Sequence, residues 1–440
     1  MAFAPCFPAG HTRAGEAMSS IDANGLQTDW LSDCVEQFRC IGPACEESCC
    51  GGWQITMDEP TLVVLRGLPD PEVRDVLAAS VREFPAQGAG AQNAGTQRTG
   101  TQIGWIELRR DGSCPFLNAE QWCLLQARHG EAAMPLGCRV YPRVHHRIDG
   151  RRHSALSLSC PEAARRVLAA EVAADANSGS AEGFAPTAAV LAEAAAGLPQ
   201  RATRRVIFWP LLRVHQALVR DRSLPMAARM LRMGQLAQIL DAQPDGNAAA
   251  GLRAFCLAAD RVGRDAIEAG MDSGEVAAEP LEFLLAAMDR ALGFAAHNQR
   301  FRALTAKVLR GLQYQPGADL RPRCQRLRAE KLEPVLAAHP EWMENLLCNE
   351  LLRRLYPLGM GNGSDGCAMD EFARLSLEWA WVRLYLIGVC GDGPLELAQA
   401  AECVQSLTRA VFARTEEFGA LCRAWREQMQ RVPLARLLCL

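Results

Sequence analysis

Cysteine is the residue type that carries most of the possible chemistry in this sequence. Of its 18 cysteines, nine fall between Cys34 and Cys160, and eight of these nine sit in short motifs. The first motif, FRCIGPACEESCCGGW, has the spacing C-x4-C-x3-C-C, and the segments DGSCPFLNAEQWC, PLGCRVYPR and LSLSCPEAA supply the others. The candidate metal ligands are Cys40, Cys45, Cys49, Cys50, Cys114, Cys123, Cys138 and Cys160.

Thiolates spaced in this way are typical of a metal centre. A thiolate is a soft anionic ligand, and four of them satisfy either a tetrahedral zinc ion or an iron–sulfur cluster. Eight candidates allow one centre with bystanders, or two centres. The alternatives are unligated thiols packed as small apolar side chains, or disulfides in an oxidising compartment. We favour metal binding, with iron–sulfur ahead of zinc, partly because of the resemblance given below.

The composition indicates a globular protein and argues against several classes of partner. The 440 residues are 49% hydrophobic and 22% charged, and the net charge is only -3. A nucleic-acid or membrane-surface domain usually has a clear basic excess, which is missing here. The sequence has no apolar run long enough for a signal peptide or a membrane-spanning helix. We therefore expect a cytoplasmic protein whose cysteines are reduced.

Four regions follow from the pattern along the chain. Residues 1–33 are predicted to be a disordered tail, and residues 34–170 a Cys-rich metal-binding module with a low-complexity flexible loop at 86–102. Residues 171–188 are predicted to be a linker, and residues 189–440 an α-helical domain.

The predicted fold class is mainly α, with few short strands. Apolar residues of EFARLSLEWAWVRLYLIGV recur every three or four positions, which is typical of one helix face. A second helix, EWMENLLCNELLRRLYP, is predicted to end at Pro357, and residues 203–242 to form helices broken near Pro210 and Pro225. Alternating patterns predict short strands around 101–110 and 151–160.

At the cysteine motifs, the sequence resembles the flagellin lysine N-methylase family. The matching pieces are F-x-C-x-G-x-x-C-x-x-x-C-C-x-x-W from Phe38, C-P-F-L from Cys114, C-x-x-Y-P-R from Cys138 and L-S-L-S-C-P-E from Leu156. The segments ENLLCNELLRRLYP and LEWAWVRLYLIG resemble the family's C-terminal helices. The resemblance covers roughly residues 34–415.

The resemblance implies an activity, a cofactor and a partner. It implies methyl transfer from S-adenosylmethionine to lysines of flagellin, and an iron–sulfur centre, of the 4Fe-4S type, held by the cysteines. The C-x3-C-x2-C trio of common radical S-adenosylmethionine enzymes is absent, and polar displacement at the sulfonium methyl suffices for an amine nucleophile. The alternative is a non-catalytic zinc- or iron-binding structural or carrier protein.

The residues that would serve this reaction are harder to identify. A lysine amine has an unperturbed pKa of about 10.4 and must lose a proton before it attacks. No catalytic base can be assigned from the sequence. Tyr141 and Arg143 are predicted to bind the cofactor, with Arg143 paired to the donor's carboxylate. His145 and His146 are further polar candidates near the metal site. The alternative for these four is a surface, packing or charge-neutralising role.

Overall fold

The structure is a computed structural model that describes residues 34–51, 53–84, 102–170, 187–243, 246–257, 276–359 and 367–439. The predicted tail lies outside these ranges, as do residues 86–101 of the predicted loop and residues 171–186 of the predicted linker. The described part is mainly helical with few short strands, which confirms the predicted fold class.

The strands and helices are labelled in chain order. The strands are β1 (Ile55–Asp58), β2 (Val81–Glu83), β3 (Gln102–Ile106), β4 (Arg143–Ile148) and β5 (Arg151–Leu156). The N-terminal helices are α1 (Glu59–Gly67), α2 (Pro71–Ser80), α3 (Leu124–His129), α4 (Leu136–Val140) and α5 (Pro161–Ala169).

The helices of the C-terminal part follow after α5. They are α6 (Thr187–Ala196), α7 (Phe208–Val219), α8 (Met226–Asp241), α9 (Ala278–Phe294), α10 (Gln299–Gly311), α11 (Arg321–Leu327), α12 (Glu333–Ala338), α13 (Glu341–Arg353), α14 (Ala368–Asp392), α15 (Leu397–Leu407), α16 (Thr415–Arg431) and α17 (Leu434–Leu437). A helical stretch at 248–257 lies between α8 and α9. π-Helical turns join α11 to α12 (Arg328–Leu332) and follow α15 (Thr408–Phe412).

A small antiparallel sheet organises the first half of the Cys-rich region. Its strand order is β1-β3-β2, and Ile55 pairs with Ile106. Asp58 ends β1 and caps α1, because its carboxylate accepts a hydrogen bond from the Thr61 N–H at 2.9 Å. The same carboxylate accepts the Leu136 N–H at 3.3 Å. Asp58 therefore fixes the start of α4, the helix that carries a candidate ligand.

A β-hairpin forms the second half of this region. β4 and β5 pair along their whole length around Asp149 and Gly150, which both have positive φ. An Asp-Gly pair with both φ values positive suits the tight turn that joins twisted antiparallel strands. The alternating pattern of the sequence predicted β5 but not β4.

Helix α14 is the centre of the C-terminal part. It is buried on all sides from Phe372 to Cys390, apart from one half-buried position, so it is a core helix and not an amphipathic surface helix. α10 crosses it at a backbone contact, where a Cβ on Gly311 would lie 1.8 Å from the Gly388 carbonyl oxygen. Glycine is required here because the two helix backbones leave no room for a side chain.

Buried side chains form two apolar clusters. The smaller cluster contains Ile55, Ile106 and their neighbours up to Met134. The larger cluster joins β5 and α5 to the C-terminal helices. At this junction the fully buried Asn349 of α13 accepts the Leu156 N–H at 3.0 Å and donates to the Leu156 carbonyl at 2.9 Å. The hairpin is thus bound to the C-terminal helices by backbone-like hydrogen bonds.

The predicted helices are present with some changed ends. The structure confirms a helix over EFARLSLEWAWVRLYLIGV and short strands at both predicted places. α13 ends at Arg353, earlier than Pro357. The break near Pro225 is confirmed, but Pro210 lies within the first turn of α7, where proline removes no helical hydrogen bond. No helix in the described ranges is long and apolar enough to cross a membrane.

The crossing of α10 and α14 gives a test of the fold. Gly311→Ala should lower the free energy of unfolding by about 3 kcal/mol or more, because the new methyl group meets backbone atoms that cannot move aside. Gly293→Ala is the matched control: nothing lies within 4 Å of its added Cβ, so it should raise stability by about 0.5–1 kcal/mol. Urea denaturation measures both, and equal effects would contradict the crossing.

Candidate metal and cofactor site

The candidate ligands, which come from four separate segments, line one cavity between the two apolar clusters. All eight cysteines predicted as ligands contribute to its wall, and so do Tyr141 and Arg143. The cavity has a volume of about 100 Å³. Its apolar wall comes from both clusters, with Phe38 on one side and Ile55, Ile106 and Phe116 on the other.

Short helices and backbone hydrogen bonds place these thiols. The first motif winds around a 3₁₀ turn, Gly42–Ala44, and the Cys114 N–H donates to the Cys50 carbonyl at 2.8 Å. This bond joins the first and second motifs directly. Cys138 lies on α4, while Cys123 and Cys160 precede the first residues of α3 and α5.

The acidity of the thiols differs sharply around the cavity. A hydrogen bond with the Cys50 thiol, helped by the nearby Arg409 charge, lowers the pKa of Cys49 to about 7. The same hydrogen bond and burial raise the pKa of Cys50. Burial raises the pKa of Cys114 to about 11 and that of Cys160 to about 12. Burial also raises the pKa of the remaining thiols, Cys40, Cys45, Cys123 and Cys138. Metal binding must therefore displace protons from most of them.

Two side chains from the C-terminal helices hold the loop of the first cysteine motif, residues 46–51, which we call the first cysteine loop. Arg409 donates to the carbonyls of Ser48, at 2.9 Å, and Gly51, at 3.2 Å, and forms an ion pair with Glu47 at 3.0 Å. Gln405, one helical turn earlier, donates to the Glu47 carboxylate at 2.7 Å. Arg409 lies in the π-helical turn after α15, a local geometry common at functional sites.

Tyr141 and Arg143 are present at the cavity with defined partners. The Tyr141 hydroxyl is 3.1 Å from the Ser159 hydroxyl, and burial raises its pKa, so it stays protonated at neutral pH. Arg143 donates to the carbonyls of Val35, at 3.2 Å, and Phe38, at 2.8 Å. Its guanidinium also lies 5.2 Å from the centre of the Phe38 ring. Arg143 thus holds the chain entering the first motif.

The histidine candidates lie on β4 and do not line the cavity. His145 Nδ1 is 2.6 Å from the Ser154 hydroxyl, and His146 Nε2 is 2.8 Å from the Arg353 carbonyl. His145 therefore links the two strands of the hairpin, and His146 connects the hairpin to α13.

The thiols surround the cavity and do not converge on one point. Within the described ranges, no three His, Cys, Asp or Glu side chains are arranged to ligate a single metal ion. The donor set and its closeness to the positive charge of Arg409 nevertheless suit an anionic metal–thiolate group. A polynuclear metal group, which is larger than a single metal ion, would contact more of these thiols at once.

Several lining residues were not predicted. Trp122, Glu131 and Arg139 contribute to the cavity wall, and Trp53 was used only as the end of a motif. Exposed tryptophans are uncommon, but the sequence alone does not show which of its nine tryptophans are exposed. The sequence pattern indicated Arg409 only weakly, as a charged residue within an otherwise apolar helical stretch.

This mainly α-helical chain with a cysteine-lined cavity falls into a known class. The profile of the FliB lysine N-methylase C-terminal domain matches residues 216–438, just over half of the chain. The chain therefore belongs to the FliB lysine N-methylase family.

Similar sequences agree with this assignment. The flagellar biosynthetic protein FliU of Salmonella muenchen is 30% identical over 137 residues, which is 30% of this chain and 73% of FliU. The lysine-N-methylases of Salmonella typhimurium and Salmonella choleraesuis are 30% identical over 137 residues, which is 30% of this chain and 31% of each relative. No solved structure is significantly similar.

The contacts of Arg409 with the first cysteine loop can be tested by amide hydrogen exchange. Arg409→Ala removes two hydrogen bonds and an ion pair, so amides of residues 46–51 should exchange about tenfold faster. Arg409→Lys keeps the charge but lacks the separate nitrogen that pairs with Glu47, so it should retain only part of the protection. Arg414→Ala, at an exposed position, is the control. Unchanged exchange in Arg409→Ala would show that the loop is held by other contacts.

Proposed function

We propose that this protein is a protein-lysine N-methyltransferase that transfers methyl groups from S-adenosylmethionine to lysines of flagellin in the cytoplasm. Membership of the FliB lysine N-methylase family supports the reaction. The names of the Salmonella relatives, lysine-N-methylase and flagellar biosynthetic protein, support the substrate. The region that aligns with this chain covers only 31% of each of the two lysine-N-methylases, so their activity is carried over here as a proposal.

The proposal includes an iron–sulfur cluster held by the cysteines that line the cavity. The observation that carries it is that eight thiols from four segments surround one cavity. A single zinc ion needs four ligands at about 2.3 Å from one point. Thiols spread around a cavity suit a polynuclear group better, so zinc is the second candidate. A bound cluster would supply redox and Lewis-acid chemistry.

The methyl transfer itself needs no metal-centred step. The lone pair of the lysine nitrogen forms the new N–C bond, while the S–C bond of the sulfonium breaks and its electron pair stays on sulfur. One proton leaves the amine to water. The products are a methylated lysine and S-adenosylhomocysteine.

The cavity wall can help the lysine lose its proton. Ile55, Ile106, Phe116 and Met134 are buried apolar side chains along this wall. Transfer of an ammonium group from water into such surroundings favours the neutral amine, which is the nucleophile. Tyr141 stays protonated and can orient a polar group by donating its hydrogen.

Replacement of one cysteine ligand should prevent the cluster from binding in the cavity. Cys49→Ala or Cys50→Ala should abolish iron binding and lower stability, because metal binding contributes folding energy. Cys256→Ala is the matched control, since Cys256 is half-buried but outside the cavity, and it should keep full iron content. Iron and sulfide analysis of anaerobically purified protein measures this. A Cys49→Ala protein with full iron content and activity would contradict the assignment.

The whole proposal is tested by two measurements on the intact protein. Anaerobic protein should show visible absorption with iron and labile sulfide. Incubation with S-adenosylmethionine and flagellin should add 14 Da, or multiples of it, to flagellin lysines, by the mass of CH₂ at about 14 Da each, as read by mass spectrometry. Protein that binds metal but leaves flagellin unchanged would favour the structural or carrier alternative.

A further inference from the structure

The charges that line the cavity divide into paired and unpaired groups. Glu47 is paired with Arg409, and Glu162 with Arg165 and Arg166 at 3.1 and 3.0 Å. Arg143 donates to two carbonyls, as described above. The remaining lining charges are Glu131 and Arg139, which are both exposed, and within the part of the chain that the structure describes neither has an ion-pair or hydrogen-bond partner for its side chain. The cavity therefore offers one free charge of each sign.

Two tryptophans line the same cavity and expose their rings. Trp53 is 39% exposed and Trp122 is 37% exposed, and these are the two exposed tryptophans of the described residues. The Trp53 indole N–H donates to the Cys49 carbonyl at 2.9 Å, which fixes this ring beside the thiols.

Backbone packing holds the Trp122 ring in place. It lies on Gly42, where an added Cβ would be 3.3 Å from the indole, and Gly42 has φ +56. The preceding residue, Gln121, also has a positive φ, an uncommon conformation for a non-glycine residue that often marks a functional site. The ring is thus presented to the cavity by a constrained turn.

We propose that Trp53, Trp122, Glu131 and Arg139 form the binding site for S-adenosylmethionine. The aromatic faces stack on the adenine ring, Arg139 binds the carboxylate, and Glu131 binds the amino group. The inference rests on the proposed function, because that function makes S-adenosylmethionine the methyl donor. It also replaces Arg143 as the carboxylate partner, since the Arg143 guanidinium is already engaged by Val35 and Phe38.

The substrate lysine fits these residues less well than the donor does. An ammonium group would pair with Glu131 but be repelled by Arg139, whose charge would remain without a partner. The amino-acid end of the donor carries both charges, so it satisfies both residues at once. The aromatic rings likewise match a ligand that has a flat heterocycle.

Binding of radiolabelled S-adenosylmethionine, and its competition by two further ligands, separates these contacts. S-Adenosylhomocysteine has the adenine and the amino-acid end, whereas adenosine has only the adenine part. Trp122→Leu should weaken binding of all three by about tenfold, and Trp122→Phe should retain most of it. Arg139→Gln and Glu131→Gln should weaken the two amino-acid ligands about tenfold and leave adenosine unchanged.

Matched variants control for nonspecific effects. Tyr314→Leu replaces an exposed aromatic residue outside the cavity, and Arg147→Gln and Glu120→Gln replace exposed charges that do not line it. All three should bind the donor as the unmodified protein does. Equal iron content and circular dichroism across the set show that Trp122→Leu folds.

The outcomes distinguish this site from the proposed function. Donor affinity within twofold of the unmodified protein in both Trp122→Leu and Arg139→Gln overturns the site, even if methylation proceeds. A raised KM for flagellin with unchanged donor affinity also overturns it, and assigns the residues to the substrate lysine. The expected binding pattern in a protein that does not methylate flagellin supports the site and rejects the proposed function.

Discussion

Arg409 forms the contact on which the candidate site depends. The first cysteine motif has little regular structure of its own, only one short 3₁₀ turn, so its backbone carbonyls need partners from elsewhere. Arg409 supplies two of these bonds and pairs with Glu47, while Gln405 binds the same carboxylate. The shape of the cavity is therefore set by helices that lie more than 350 residues further along the chain, as the positions 48 and 409 show.

Charge explains why arginine occupies this position. Deprotonated thiols around one cavity repel one another, and burial already raises the pKa of most of them. A guanidinium stays charged at any ordinary pH and offers several donors in a fixed plane. Arg409 thus provides a permanent positive charge beside Cys49 and holds the loop with the same group. A lysine would supply the charge but has only one nitrogen, whereas Arg409 binds the two carbonyls through Nη2 and pairs with Glu47 through Nε.

The sequence predicted local features better than long-range ones. The cysteine spacing identified eight residues that line one cavity, and the apolar periodicity located α14. The pattern did not reveal that α14 is buried on all sides, because residues of its polar face, such as Glu378, are buried through ion pairs with Arg354 and Arg374. Nor could it reveal Arg409, since only the fold brings that residue to the first motif. Ligand roles of the cysteines remain predictions.

The two parts of the chain that carry the family's features form one structural unit. The family profile matches residues 216–438, whereas the cysteine motifs precede that region. Yet Asn349 continues the edge of β5 with two hydrogen bonds, and Arg409 holds the cysteine loop. Because these polar contacts are buried or half-buried, separation of the parts would leave donors and acceptors without partners, at about 1–3 kcal/mol each. The helical region is therefore needed to shape the cavity, and the cysteine region covers a surface that the helices would otherwise expose.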